Sequence, residues 1–354
     1  MNDLILIINT GNTSTKIGLY ENIKPIFVES IKHSDVELYR FDNTNSQKNF
    51  RETIILDFLK RKGVEIKNLS AVATRGGLLR PLESGTYIVN EKMLNDLIQA
   101  PWGYHASHLS AQIGYSIAQS VEIPCYIVDP ISVDELEPVG RYSGHKLFKR
   151  AMYTHALNLK AVAKRYSKEN NLNYNKVTLI VIHLGTGVSI SIHKNGRMID
   201  AIDPKEEGSF SIDRSGGLPI LQIAKYITEN KIEYKAFEKM VFGNGGLYSY
   251  LNTKDFMKVE NIYKKGDRET INVVNAMSYQ IAKEVGALST VTKGDVNAII
   301  ITGGMANAKF FVDLITERIS FIAPIKLYPG EDEIRALAEG VSRVLDKEES
   351  PKIY

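Results

Sequence analysis

The sequence contains one cysteine, Cys125, and no long apolar run. A single cysteine excludes a disulfide within the chain, and the apolar run Cys125–Val128 around it predicts a small buried side chain. No apolar stretch approaches the roughly 18 residues that are needed to span a bilayer. The first apolar run, Leu4–Ile8, is too short for a secretory signal and follows no cationic segment. We therefore expect a cytoplasmic protein without a membrane partner.

The sequence also lacks a block of charge of one sign. It has 44 Lys and Arg against 41 Asp and Glu, a net charge of +3, and the basic residues are scattered among the acids. Electrostatic binding of nucleic acids requires clustered basic residues. We expect no nucleic-acid partner.

Two common phosphate-binding motifs are missing as well. No Gly-x-x-x-x-Gly-Lys-Ser/Thr loop and no Gly-x-Gly-x-x-Gly turn opens a helix after a strand. This absence argues against Walker-type NTPases and dinucleotide-dependent enzymes.

Three other turns stand in places where phosphate could bind. Each follows an apolar, β-branched run, which predicts a buried strand entering a small, glycine-containing turn. The runs are Leu4–Ile8, Leu179–Ile182 and Ala298–Ile301, and the turns are Asn9–Lys16, His183–Gly187 and Thr302–Gly304. Such turns let backbone amides approach phosphate oxygens closely. Together they indicate an ATP-dependent phosphotransferase.

The first two turns belong to an apparent internal repeat. Leu4–Ile31 reads as three strands joined by short turns, and Val177–Ile202 repeats this order about 170 residues later. His183 holds in the second copy the position that Asn9 holds in the first. Two unrelated strand meanders are the alternative, but duplication predicts two similar domains.

The chain length supports two domains, because 354 residues exceed what one hydrophobic core usually sustains. After Arg141 the sequence becomes basic and then shows a helical pattern, so we expect the chain to pass from the first domain to the second near Lys146–Tyr153. The predicted domains are residues 1–148 with 335–354, and residues 149–334.

Two arginines stand just before paired glycines. Arg75 follows the predicted strand Ala71–Thr74, and Arg214 precedes Ser215 and two glycines. The glycines leave open space beside a forked cation that suits phosphate, and phosphoryl transfer requires positive charge at the migrating group. An ordinary surface arginine beside a turn is the alternative for each.

Two acids are candidates for holding Mg²⁺, which usually takes only one or two protein carboxylates and keeps several waters. Asp129 follows the predicted strand Cys125–Val128 and precedes Pro130, which stops regular strand pairing just after the acid. Glu333 is the second candidate. Solvated surface acids are the alternative.

In their order and spacing, these motifs resemble those of the acetokinase family of carboxylate kinases. The resemblance covers essentially the whole chain. The matching segments are Asn9–Lys16, Ser70–Pro81, His105–Ser107, Val128–Pro130, His155–Asn158, His183–Gly187, Arg214–Gly216, Gly243–Leu247, Thr302–Gly304 and Pro329–Glu333. It implies an α/β fold with two ribonuclease H-like domains, duplicated as in actin, sugar kinases and heat-shock chaperones, which flank a nucleotide cleft. It also implies a homodimer that uses ATP/ADP and Mg²⁺.

The resemblance assigns roles to individual residues. The implied catalytic residues are Arg75, Asp129, Arg214, His155 and His183. The implied nucleotide-binding residues are Asn9, Ser14, Lys16, Gly185, Thr186, Gly187, Gly303, Gly304 and Asn307. The implied metal-side residues are Glu333, Asn9 and Asp129, with Glu331 as the alternative to Glu333. Gly77 and His105 are expected in the substrate pocket.

The implied reaction is a reversible, in-line transfer from ATP to a short-chain carboxylate, which gives an acyl phosphate and ADP. A carboxylate is already nucleophilic at neutral pH, so arginines and Mg²⁺ need only offset the repulsion between two anions. Acetate kinases commonly carry Val at the position that matches Gly77, so glycine is expected to admit a longer acyl chain such as butyrate or a branched analogue. An acetate or propionate kinase and a non-catalytic nucleotide-binding regulator are the alternatives.

Overall fold

The computed structural model describes residues 3–41 and 43–354. The strands are β1 Leu4–Thr10, β2 Ser14–Glu21, β3 Lys24–Lys32, β4 Ala71–Thr74, β5 Thr86–Ile88, β6 Cys125–Val128, β7 Tyr142–His145, β8 Phe148–Lys149, β9 Thr178–Leu184, β10 Val188–Lys194, β11 Arg197–Ile202, β12 Ala298–Gly303, β13 Ile325–Pro329 and β14 Lys352–Ile353. The helices are α1 Asp35–Leu38, α2 Lys48–Arg61, α3 Glu91–Gln99, α4 His108–Gln119, α5 Ala156–Glu169, α6 Ile220–Asn230, α7 Tyr234–Val241, α8 Gly246–Leu251, α9 Phe256–Lys264, α10 Arg268–Val291, α11 Lys309–Ile319 and α12 Glu333–Leu345. None of the helices in the described ranges combines the length and hydropathy that crossing a bilayer requires.

The chain forms two compact units. Unit 1 comprises the residues up to Val133, with Ala156–Ala161 and Asp332–Tyr354. Unit 2 comprises Asp134–His155 and Val162–Glu331. These bounds differ from the domains expected from sequence, which kept residues 134–148 with the first domain.

Local contacts explain where these bounds fall. The Glu135 carboxylate accepts a hydrogen bond of 2.7 Å from the Met198 amide, which ties the segment after Val133 to unit 2. The first turn of α5 belongs to unit 1 because Leu157 is buried in the same apolar cluster as Ile5. Sequence periodicity does not encode either contact.

The sheet of unit 1 has the strand order β14-β5-β6-β4-β1-β2-β3. The interior strand β1 is apolar on both faces. Leu6 packs into a cluster with residues of α2 and α4, and Ile7 packs on the opposite face with residues of α12. A strand that is buried on both faces reads as a continuous apolar run, which is why the sequence marks it clearly.

The sheet of unit 2 has the strand order β11-β10-β9-β12-β13. All seven residues of β9 are buried. Helix α10 packs on this sheet through a buried stripe at helical spacing. The stripe consists of Val274, Met277, Ile281, Val285 and Leu288.

The two units repeat one topology. The order β3-β2-β1-β4-β6 in unit 1 matches β11-β10-β9-β12-β13 in unit 2. In both, the first three strands are antiparallel neighbours and the last two run parallel to the central strand. Asn9 is the sixth residue of β1, and His183 is the sixth residue of β9. The predicted repeat is thus confirmed.

Candidate active site

Unit 1 gathers polar residues where three neighbouring parallel strands end. Asn9 lies near the end of β1, Arg75 directly follows β4, and Asp129 directly follows β6. These strands pair in register, with Ile8 opposite Thr74 and Thr74 opposite Ile127. Carboxyl ends of parallel strands are where open α/β sheets bind ligands. The structure therefore brings these three residues to one edge of the sheet.

Glu333 joins this edge as the first residue of α12. Its carboxylate accepts a hydrogen bond of 2.7 Å from the Asn9 amide nitrogen and forms an ion pair with the Arg75 guanidinium. The side chain of Arg75 is 14% exposed and that of Glu333 is 20% exposed. Water therefore screens this pair only in part. Glu331 lies in unit 2, where its Oε1 is 3.0 Å from Nε2 of His183.

Asp129 has an unusual backbone. Its φ angle is 39°, in the left-handed region that non-glycine residues seldom adopt, and Pro130 follows it. The side chain is buried, and its Oδ1 accepts hydrogen bonds from the Ser84 hydroxyl (2.6 Å) and the Gly85 amide (2.7 Å). Residues in such backbone conformations cluster at functional sites. The two donors fix the orientation of the carboxylate at the strand end.

The first turn of the chain lies beside this edge. Lys16 is exposed and stands directly opposite Asn9 in the pairing of β1 with β2, so their side chains share a face of the sheet. The Gly11 amide closes the turn by donating to the Ser14 carbonyl at 2.8 Å. Ser14 and Lys16 thus flank the turn that the sequence assigned to phosphate.

The surroundings of Gly77 differ from the expectation. A Cβ atom there would lie 1.6 Å from Cδ2 of His108, a fully buried residue. The His108 ring is held in place, since Nε2 accepts from the Leu78 amide (2.9 Å) and Nδ1 donates to the Leu97 carbonyl (2.9 Å). The space that we attributed to a longer acyl chain is therefore occupied by an imidazole. Sequence reasoning missed His108.

His105 lies close to the same segment. Its Nδ1 accepts from the Ser107 amide at 3.2 Å and lies 2.7 Å from the Ser107 hydroxyl. The side chain is exposed, but desolvation by the surrounding protein and the positive charge of Arg75 lower the pKa of His105 to about 4. The ring is therefore neutral at physiological pH.

Unit 2 has a comparable edge where β9 and β12 end side by side. Gly303 has a φ angle of 95°, and a Cβ atom there would lie 2.5 Å from the Leu184 backbone, so only glycine fits. Open space surrounds the Cβ position of Gly304. Asn307 donates from Nδ2 to the Gly304 carbonyl at 3.0 Å and closes this turn. The two glycine turns of unit 2 are thus neighbours.

The glycines of the turn after β9 make room for side chains of the site itself. A Cβ atom at Gly185 would lie 2.7 Å from Nε2 of His183 and 2.8 Å from Oε1 of Glu331. A Cβ atom at Gly187 would lie 2.1 Å from Nη1 of Arg214. Between them, Thr186 is exposed. The binding of phosphate here stays a prediction, and the structure shows close packing of an arginine and a histidine against these glycines.

Two histidines stack in unit 2. The rings of His155 and His183 are 4.2 Å apart with an angle of 20° between their planes. Nδ1 of His155 lies 2.9 Å from the Ser189 hydroxyl, and Nε2 of His183 lies 3.0 Å from Oε1 of Glu331. The structure therefore brings both predicted histidines together and adds Glu331 and Ser189 to them.

Arg214 is held by an aromatic ring. Its guanidinium carbon lies 4.6 Å from the centre of the Phe242 ring, and its Nε lies 4.0 Å from Oδ1 of Asp213. Burial lowers the pKa of Arg214, and the charges of Asp213 and Asp203 oppose this effect. The guanidinium stays charged. A partly desolvated cation interacts strongly with an incoming anion. No sequence motif pointed to Phe242.

The edge of unit 1 is suited to Mg²⁺. Within residues 3–41 and 43–354, no group of three or more His, Cys, Asp or Glu residues is placed to hold a metal. Magnesium needs only one or two carboxylates beside waters and substrate phosphates. Asp129 and Glu333, with the Asn9 amide, offer such a set of oxygen donors on one edge. The chemistry of the residues fits the ion.

Comparison with solved structures establishes the fold. Acetate kinase from Porphyromonas gingivalis has a TM-score of 0.77 at 16% identity, covering 96% of this chain and 99% of that chain. A propionate kinase from Francisella tularensis subsp. tularensis has a TM-score of 0.75 at 18% identity, covering 96% and 98%. The fold is therefore the duplicated α/β fold shared with actin and sugar kinases, as predicted.

Sequence comparison then establishes the family. The profile described as "Acetokinase family" matches residues 140–352. "Butyrate kinase 1" from Clostridium acetobutylicum is 47% identical over 351 residues, which cover 99% of both chains. The chain belongs to the acetokinase family. Its members are carboxylate kinases, phosphotransferases that use ATP or ADP, so the predicted enzyme class is confirmed and the non-catalytic regulator is not favoured.

Proposed function

We propose that this enzyme phosphorylates butyrate or a branched analogue with ATP and releases an acyl phosphate and ADP. The full-length likeness to a butyrate kinase supports this choice of acid over acetate or propionate. The structural observation that carries the proposal is the contact set of Asn9, Arg75 and Glu333 at one strand-end edge. It combines a cation for an anionic substrate with acid and amide groups for a metal.

The residues of unit 1 handle the carboxylate and the metal in this proposal. Arg75 orients the carboxylate of the substrate. It lies in the first predicted domain, which is expected to bind this acid. Asn9, Asp129 and Glu333 hold Mg²⁺ in part through water. When bound, the ion neutralises charge on the phosphates of ATP. Ser14 and Lys16 add a hydroxyl and a positive charge beside the first turn of unit 1, where a phosphate group of the nucleotide also binds.

The residues of unit 2 handle the nucleotide and the migrating group. The turn Gly185–Gly187 presents backbone to phosphate, and the segment Gly303–Asn307, with open space at Gly304, binds the base and ribose. Arg214, His155 and His183 stabilise the negative charge that spreads over the phosphoryl oxygens. The partial burial of Arg214 strengthens this interaction.

The transfer itself needs no general base. A carboxylate oxygen attacks the γ-phosphorus in line, the bond between that phosphorus and the β–γ bridging oxygen breaks, and ADP leaves with the electron pair. No proton moves, and the reverse reaction uses the same groups. The family resemblance also leads us to propose a cytoplasmic homodimer.

Trapping of the acyl phosphate with hydroxylamine tests this function. The purified chain is incubated with ATP, Mg²⁺ and one acid at a time from acetate, propionate, butyrate, isobutyrate and isovalerate. We expect the highest kcat/KM with an acid of four or five carbons, because each buried methylene contributes up to about 0.8 kcal/mol. A maximum at acetate or propionate would favour the alternative within the family. No product with any acid would contradict the proposal.

A further inference from the structure

We propose that Arg51 is a positioning residue that holds the turn Gly11–Ser14 in the shape that binds a phosphate group of the nucleotide. This inference rests on the proposed function, because that function identifies the anion as part of ATP or ADP. Arg51 lies in α2, outside every motif that the sequence analysis singled out.

The contacts between Arg51 and the turn carry the proposal. Arg51 is fully buried. Its Nη1 donates to the Gly11 carbonyl at 2.8 Å and to the Ser14 carbonyl at 3.0 Å, and its Nη2 donates to the Asn12 carbonyl at 2.8 Å. Three carbonyl groups of one short turn therefore converge on one guanidinium.

The other contacts of Arg51 fix its orientation. Nε and Nη2 both donate to Oε1 of Gln47, at 3.0 Å and 2.8 Å, and Gln47 is itself buried one helical turn earlier. Nη1 also lies 3.3 Å from the Thr15 hydroxyl. The planar guanidinium is thus fixed between Gln47 and the turn. An ammonium group cannot reproduce this set of hydrogen bonds.

The charge of Arg51 is not balanced by an acid. In the part of the chain that the structure describes, its partners are carbonyl, amide and hydroxyl oxygens, and no carboxylate forms an ion pair with it. Burying a cation without a counter-charge is unfavourable, and an apolar side chain would usually stabilise such a site better. An anion bound on the turn would supply the missing negative charge.

The same contacts leave amides of the turn available. The Asn12 carbonyl accepts from Arg51, and the Thr13 carbonyl accepts from the His33 amide at 2.9 Å. Asn12 and Thr13 are exposed, and no acceptor for their amides exists within residues 3–41 and 43–354. Successive free amides in a tight turn form a concave binding place for anions. Arg51 therefore acts from the carbonyl side of the turn. It holds the shape of the turn and adds a positive electrostatic potential, and it does not touch the nucleotide.

The test compares Arg51→Lys and Arg51→Gln with the wild type. ADP binding is measured by calorimetry without any acid, and KM for ATP and for butyrate is measured with saturating partner substrate. We expect the Kd for ADP and the KM for ATP to rise by at least about tenfold in both variants, since neither side chain reproduces the planar fork that donates to the carbonyl groups of the turn. The KM for butyrate should change by less than about threefold.

A matched control separates positioning from stability. Leu59 lies in the same helix, is buried, and is part of the apolar cluster of unit 1 instead of the turn. Leu59→Ala should lower Tm while leaving the Kd for ADP unchanged at a temperature where the variant is folded. If Arg51→Lys behaves like Leu59→Ala, with lower Tm and unchanged nucleotide affinity, the proposal is wrong.

The calorimetric experiment also separates this inference from the proposed function. A wild type that binds ADP but makes no acyl phosphate would refute the function alone. Arg51→Lys keeps the charge and is the variant to use if Arg51→Gln does not fold. Normal ADP affinity in folded Arg51→Lys would refute the positioning role, whatever acid the enzyme uses.

Discussion

At the scale of single residues, the two arginines of the site are held by different means. Arg75 is ion-paired with Glu333, whereas Arg214 rests on the ring of Phe242. Both are partly shielded from water, with side-chain exposures of 14% and 19%. A shielded cation loses less of its attraction for an anion to screening than an exposed one. Each therefore suits a reaction between two anions.

We expect Arg75→Ala and Arg214→Ala each to lower kcat by about 100-fold or more, because each removes a cation from the developing charge. Arg141→Ala is the control, since Arg141 pairs with Asp134 at a more exposed position. Steady-state kinetics and circular dichroism on all three variants check this. Near-normal kcat in both site variants would contradict the mechanism.

Gly77 and His108 form a sterically matched pair, because a Cβ atom at position 77 would overlap the His108 ring. We expect Gly77→Ala to lower Tm, and we expect His108→Ala to cost less in the Gly77→Ala background than in the wild type. Thermal unfolding of the two single variants and the double variant gives the coupling. If the Tm losses of the two single variants add up in the double variant, the side chain at position 77 and the His108 ring do not compete for the same space.

His108 also predicts a pH dependence of stability. Burial lowers its pKa below the ordinary value of 6.5, and a proton on Nε2 would oppose the Leu78 amide that donates to this atom. The unfolded chain thus takes up a proton near pH 6.5 that the folded chain resists, so stability falls as pH falls below this value. From about pH 7.5 to about pH 5.5, the free energy of unfolding measured with urea should fall less in His108→Gln than in the wild type. Equal losses would contradict this role.

At the scale of elements, the turns of unit 2 offer a contrast between two glycines. A Cβ atom at Gly187 would displace the guanidinium of Arg214, whereas the position at Gly304 is open. We expect Gly187→Ala to lower kcat by about tenfold or more, because the Arg214 guanidinium would have to move. Tm should change little, because the Arg214 side chain is flexible enough to shift. Gly304→Ala should leave Tm unchanged and raise the KM for ATP. The reverse pattern of kinetic effects would contradict the assigned roles of the two turns.

The strands and helices that the sequence predicted best are those buried by their own apolar pattern. Strands β4 and β6 have the expected bounds, because each carries a strong local signal that its packing does not override. Helices α6 and α7 were not predicted. Neither has a buried residue in the described structure, although apolar residues recur along both at helical spacing. Helix α3 was also missed, although its N-cap Asn90 and the buried pair Met93 and Leu97 are readable signals.

The site shows the same division. Polar residues that end a buried strand, such as Asn9, Arg75 and Asp129, could be found because strand ends bring ligand groups together. Arg51 and His108 could not, since each acts on a segment that lies far away in sequence. A buried arginine and a surface arginine on an amphipathic helix look alike until the partner of the helix is known.

At the scale of the whole molecule, duplication supplies two edges of the same design with different chemistry. Asn9 and His183 occupy equivalent places in β1 and β9. Unit 1 surrounds its position with an acid and an arginine, and unit 2 surrounds its position with a second histidine and Glu331. The repeated fold thus fixes where ligand groups stand, and the residues placed there differ between the units.

The proposed function rests on direct phosphoryl transfer from ATP to a four- or five-carbon carboxylate. Rapid quenching of the enzyme with ATP labelled in the γ-phosphate, with and without butyrate, follows this transfer. We expect label in butyryl phosphate when butyrate is present, and no labelled protein in its absence. Label released only as inorganic phosphate, or carried on the protein before butyrate is added, would contradict it.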